Sequence, residues 1–316
     1  MTSYLDFSAL PDVLSGGVTM VPIRTPRGDY KVWTKRIGNN PATRVLLLHG
    51  GPGGTHEYWE ACDSYLPGAE IEYHYYDQLG SAYSDQPDEP DLWQVDRFVD
   101  ELDQVRQALD LGRDNFFLVG HSWGGILAIE YALRHQDHLK GLVISNMMAS
   151  ASAYNDYANK VLKPGMDQTA LAEIEELEAS GKVDDPRFMG LLMQHHYVQH
   201  ILRMPLEQWP DPVNRAFARL NYKLYTLMQG PSELGLSGRL LDWERVADLH
   251  RITVPTLVIG STYDTMDPNH MEMMATLIPG ARFHLCRNGS HMAMYDDQKS
   301  YFDALIDFIL TGARQT

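Results

Sequence analysis

Apolar positions along the chain fall into two alternating kinds of segment. Short runs of strand character, rich in apolar residues, occupy 43–48, 70–76, 116–119, 139–144, 255–260 and 282–286. Runs of this length, bounded by turn residues, predict strands buried on both faces. Between them lie stretches whose apolar residues recur every three or four positions. In 91–111 these are Leu92, Val95, Phe98, Val99, Leu102, Val105 and Leu109, which predicts an amphipathic helix stopped by Gly112. Residues 126–133 and 301–310 read as further helices. Strand and helix in alternation predict an α/β fold with a mainly parallel sheet. The alternation breaks at 146–243, where helical periodicity, acidic runs and six prolines replace any strand signal. The expected organisation is a core in two parts, 1–145 and 246–316, interrupted by a helical insertion at 146–245.

Composition narrows the function classes. The 316 residues carry 26 basic and 42 acidic side chains, a formal charge of -16, which repels nucleic-acid phosphates and anionic membrane surfaces. Neither is an expected partner. No apolar run nears the roughly 20 residues that span a bilayer, and the segment Met1-Thr-Ser-Tyr-Leu-Asp-Phe7 lacks the basic-then-apolar order of an export signal. Cys62 and Cys286 stand far apart in no metal or redox spacing, so buried thiols and a cytoplasmic location are expected.

The chemistry concentrates at Gly120-His-Ser-Trp-Gly124, a G-x-S-x-G pattern between a buried strand and a helix. A turn this tight strains its central residue and requires glycine two positions away on each side, where strand and helix approach. Ser122 is therefore a candidate nucleophile at a helix N-terminus. A base and an orienting carboxylate should follow in the order Ser, Asp, His. Asp264 comes just after the strand at 255–260, and His291 just after the strand at 282–286. Asp267 competes with Asp264 for the acid role. His49 and His121 adjoin the key loops and are expected to brace backbone. The backbone N–H groups of Trp123 and of Gly51, in His49-Gly-Gly-Pro-Gly-Gly54, are the candidate oxyanion donors, with Gly50 beside the substrate. His195, His196 and His200 lack an acid at ligand spacing, so no metal is assigned to them, and neither metal nor organic cofactor is expected in the reaction.

Taken together, His49-Gly-Gly-Pro-Gly-Gly54, Tyr76-Asp-Gln-Leu-Gly80, Ser84-Asp-Gln-Pro87, Gly120-His-Ser-Trp-Gly-Gly125, Gln229-Gly-Pro-Ser-Glu233, Asp264-Thr-Met-Asp-Pro268 and Gly289-Ser-His291 resemble the proline iminopeptidase group of the α/β-hydrolase fold. The resemblance covers nearly the whole chain. It implies a serine aminopeptidase or amidase with a helical cap, acting on short peptides or amino-acid amides that carry a free amine. Acidic side chains of the cap hold that amine in this group, which makes Glu233 the first candidate and Glu207 the second. Two departures stand out: Thr262 takes the place usually held by glycine before the triad aspartate, and Leu234 follows Glu233 where the group usually has phenylalanine. The second predicts an amine site short of an aromatic wall. An esterase, lactonase or amidase for a small secondary metabolite uses the same triad. A ligand receptor with an idle triad is the reading from another class.

Overall fold

A computed structural model of the chain describes residues 3–312; the first two residues of the N-terminal segment discussed above, and residues 313–316, lie outside that range. Eight strands form one sheet in the order β1-β2-β4-β3-β5-β6-β7-β8. They are Val18–Thr25, Gly28–Ile37, Arg44–Leu48, Glu72–Asp77, Phe116–His121, Gly141–Ser145, Thr256–Ser261 and Arg282–Cys286. From β4 across to β8 every neighbouring pair is parallel. The antiparallel pair β1 and β2 closes one edge, β2 also running antiparallel to β4. This edge hairpin has no counterpart in the apolar runs. Only alternate residues such as Val21 and Ile23 are buried in β1, and Pro22 interrupts it, as an edge strand tolerates.

The inner strands are buried along their whole length, so successive side chains feed two separate cores. Leu46 and Leu48 of β3 pack with the helices α1 (Val95–Ala108), α2 (Trp123–His135) and, numbered in chain order, α8 (Pro268–Leu277). Val45 and Leu47 point the other way, into the core that Trp59, Phe302 and Phe308 build with the last helix, α9 (Gln298–Thr311). Each such side chain removed from water stabilises the fold by about 1.5–3 kcal/mol. Cys62 and Cys286 are free and buried in this second core.

Between β6 and β7 the chain leaves the sheet. The excursion contains α3 (Ala151–Tyr157), α4 (Gln168–Ala179), α5 (Pro186–Leu192), α6 (Asp211–Ala218) and α7 (Tyr222–Met228), with π-helical turns after α3 and α5. A single bridge between Ser150 and Glu244 closes its neck, flanked by the hydrogen bonds Ala151 N–H to Trp243 O and Arg245 N–H to Ala149 O. No helix among the described residues is long and apolar enough to cross a membrane.

Candidate active site

The parallel strands all end at one edge, and the residues just beyond those ends make the site: His49 after β3, Gln78 after β4, Ser122 after β5, Asn146 after β6, Asp264 after β7 and His291 after β8. Ser122 stands at φ 57°, ψ -128°, between β5 and α2. The flanking glycines explain how that is possible. A Cβ at Gly120 would lie 2.1 Å from the carbonyl oxygen of Gly124, and one at Gly124 would lie 2.4 Å from that of Leu48. No side chain fits at either place.

His291 Nδ1 lies 2.7 Å from Asp264 Oδ1, and both residues are buried. Asp264 is held on all sides: Oδ1 accepts from the Met266 N–H at 3.1 Å and from Thr265 Oγ1 at 3.3 Å, while Oδ2 accepts from Asn146 Nδ2 at 2.7 Å. The rival Asp267 is occupied elsewhere, capping α8 by accepting from the Asn269 N–H at 2.9 Å. Burial alone pulls the His291 pKa down. The charge of Asp264, its hydrogen bond and the charges of Glu233 and Asp296 outweigh burial and leave the imidazole above its ordinary value. Ser122 and His291 open into the same cavity of about 380 Å³.

Two hydrogen-bonded relays hold the glycine loop beside Ser122. In the first, the Gly50 N–H donates to the Tyr58 hydroxyl at 2.7 Å, and that hydroxyl bonds His121 Nδ1 at 3.1 Å. His121 Nε2 then donates to the carbonyl of His291 at 2.8 Å. In the second, the Gln78 N–H donates to His49 Nε2 at 3.1 Å and His49 Nδ1 donates to the Gly50 carbonyl at 2.8 Å. Gln78 Oε1 accepts from the Trp123 indole at 2.8 Å. Both relays need neutral imidazoles. Burial supplies them: it lowers His49 to about 4 and holds His121 well below its ordinary value, with the charge of His291 adding to the effect on His121. His49 and His121 thus brace backbone, as expected from the sequence; Gln78 stood there only as part of the motif Tyr76–Gly80, with no role given to it, and Tyr58 carried no signal.

Gly50 has both backbone polar groups engaged, and its contribution is closeness: a Cβ there would lie 3.0 Å from that of Ser122. Gly51 follows at φ 116°, a conformation that favours glycine, and Trp123 is the first residue of α2, whose N–H has no carbonyl four positions back within the helix. These two amides are the candidate oxyanion donors.

The insertion roofs the cavity with Met189, Met193, Tyr197, Phe217, Tyr222 and Tyr225. Among these mainly apolar walls sits Glu233. Its Oε1 accepts from the Tyr225 hydroxyl at 2.6 Å and its Oε2 from Tyr154 at 3.3 Å. Burial, reinforced by the nearby carboxylate, raises both phenols well above their ordinary value, so they remain donors. The expected lack of an aromatic wall is corrected here. Leu234 does stand where phenylalanine was expected, but tyrosines from α3, α7 and the turn after α5 surround the carboxylate instead. Glu207 is a second correction. It lies exposed on the short turn Leu206–Gln208 and lines a different, open groove with His200, Arg203 and Tyr263. Pro205 and Pro210 flank that turn.

A strained serine between strand and helix, followed in chain order by a hydrogen-bonded aspartate and histidine at one sheet edge, defines a hydrolase. Residues 43–298 match the family described as the alpha/beta hydrolase fold, and the chain belongs to that family. Its similarity is more specific than the fold. It is 53% identical over 290 residues to a proline iminopeptidase of Flavobacterium johnsoniae, covering 92% of this chain and 97% of that protein. Among solved structures, VinJ superposes with a TM-score of 0.85 at 29% identity, covering 93% of this chain and 99% of the other. The proline iminopeptidase of Mycobacterium smegmatis does so with a TM-score of 0.80 at 27% identity, covering 92% and 98%.

Proposed function

We propose that the chain is a serine exopeptidase that releases an N-terminal residue, proline foremost, from short peptides or amino-acid amides. The observation that carries this reading is Glu233: a carboxylate opening into the cavity of Ser122 and His291, steadied by tyrosine hydroxyls, with no lysine or arginine among the described residues that line that cavity. A charge so placed calls for a cation from the substrate, and an N-terminal ammonium supplies one. Residues 146–245 act as the cap that delivers Glu233, while 1–145 and 246–316 deliver the triad. Buried free thiols favour a reducing, cytoplasmic setting.

In this mechanism His291 takes the proton of Ser122 as the serine oxygen attacks the carbonyl of the first residue. The N–H groups of Trp123 and Gly51 hold the oxyanion. His291 then gives its proton to the departing amine, and the C–N bond breaks to leave an acyl-serine. Water, deprotonated by His291, hydrolyses that ester and restores Ser122. Asp264 fixes the tautomer of His291 and stabilises its charged form.

The test compares prolyl arylamides with their N-acylated forms and with aryl esters. Turnover should require the free amine and should vanish, with fluorophosphonate labelling, in Ser122→Ala. Glu233→Gln should raise KM for amine substrates by about tenfold or more while esters still turn over. Equal turnover of free and acylated substrates would favour the esterase or amidase reading instead.

A further inference from the structure

At the opposite end of the nucleophile's helix, the structure gathers three ligand-type side chains that the reaction does not use. His135 is the last residue of α2, His138 belongs to the single turn Gln136–His138 that follows, and Asp103 projects from α1. One candidate ligand atom from each lies within 4.8 Å of the other two, and all three residues are partly buried. No other such cluster occurs among the described residues. We propose that Asp103, His135 and His138 form a binding site for a divalent transition-metal ion, zinc by preference, that cross-links α1 to the far end of α2.

The donor set has the right chemistry. Two imidazole nitrogens and a carboxylate oxygen, with water in the fourth position, suit tetrahedral zinc better than the oxygen-preferring calcium or magnesium. Neither imidazole takes a hydrogen bond among the described residues; their contacts are rings, Tyr131 at 5.1 Å from His135 and His138 at 6.1 Å. Their nitrogens therefore lose no protein partner on binding a metal.

Asp103 is already oriented. Its Oδ1 accepts from Arg106 Nε at 2.8 Å and from the Tyr131 hydroxyl at 3.0 Å, and its Oδ2 accepts from Gln107 Nε2 at 2.6 Å. A carboxylate oxygen has lone pairs to spare, and such outer partners are what fix a metal-binding carboxylate. The Arg106 charge opposes a metal, but the C-terminal end of α2 and the net charge of -16 favour one. Tetrahedral zinc holds its ligand atoms about 3.3 Å apart, so the two partly exposed imidazoles close on Asp103 as the metal binds. The 13 residues of α2 put this site about 20 Å from Ser122, which makes it a structural clamp and not part of the reaction.

The test is calorimetric titration of metal-free protein with zinc chloride. One equivalent should bind, with a thermal midpoint that rises as zinc is added. His135→Ala and His138→Ala should each weaken binding by about tenfold or more and abolish that rise, with turnover at Ser122 unchanged. His200→Ala, in the cap, should bind as the wild type does. Absence of binding up to about 1 mM zinc, or binding that both histidine variants retain, would overturn the proposal.

Discussion

At the scale of single residues, the base of the proposed triad carries a testable charge. His291 gains a proton more readily than an ordinary histidine because Asp264, Glu233 and Asp296 outweigh its burial. Only the neutral imidazole accepts the serine proton, so kcat/KM should rise with pH through a value above the usual histidine pKa of about 6.5. Glu233→Gln removes one of the raising charges and should move that limb to lower pH. A neutral aryl ester is the right substrate for this measurement, since its binding does not need Glu233. An unmoved limb would show that the cap carboxylate is electrostatically silent at His291.

The same scale explains why two acidic candidates fared differently. Glu233 and Glu207 are both acids of a helical insertion, and only the motif Gln229–Glu233 ranked the first above the second. Which one faces Ser122 depends on how the insertion folds back over the sheet. Asn146 illustrates the reverse case: nothing in its local sequence marks it, yet it sits at φ 52° beyond β6 and binds Asp264, Ser261 and the carbonyl of Ser290.

At the scale of elements, the turn from β5 to α2 leaves no room for adjustment. A Cβ on Gly124 would meet backbone atoms of Leu48 and His49 and not a yielding side chain. Gly124→Ala should therefore destabilise the fold by about 1–3 kcal/mol, as overpacking does, and displace Ser122; thermal unfolding and fluorophosphonate labelling would register the two effects together. The relay from Gly50 through Tyr58 and His121 to His291 makes a different prediction. Tyr58→Phe removes one hydroxyl and leaves Gly50 N–H and His121 Nδ1 without their partner. It should lower kcat by about tenfold to a hundredfold with little change in KM, because the loop bearing Gly51 loses its register with the histidine loop. A matching rise in KM would point to a lining role only.

At the scale of the whole molecule, the cap is fastened to the core at separate places. On one side, His291 and Met292 donate their N–H groups to the carbonyls of His200 and Ile201 at 2.9 and 2.8 Å, so cap and catalytic loop share backbone hydrogen bonds. On the other, buried Glu57 receives Arg215 at 2.8 Å and Arg219 at 2.9 Å from the end of α6. The residues between those arginines, Ala216, Phe217 and Ala218, line the cavity that holds Ser122 and His291. Arg215→Ala should loosen that wall and raise KM for amine substrates several-fold while kcat holds. Steady-state kinetics of the variant, beside its thermal midpoint, would separate a loosened cap from a damaged core.

The sequence by itself determined the parallel strands, the helices that cover them, the elbow at Ser122 and the loops that carry Asp264 and His291. These features are local: a short apolar-rich run, a three-to-four periodicity or a pair of glycines has its meaning within a few residues. The edge hairpin escaped that reading because its pattern alternates, and α8 because Asn269, His270 and Glu272 break up its apolar positions. Only the tertiary structure decided that Glu233 and not Glu207 faces the serine, that Tyr58 and Gln78 hold the glycine loop beside Ser122, and that Asp103 meets His135 and His138. Each of those contacts joins residues whose neighbours in the chain do not specify the partner. Their meeting is set by the register of the sheet and the path of the cap above it.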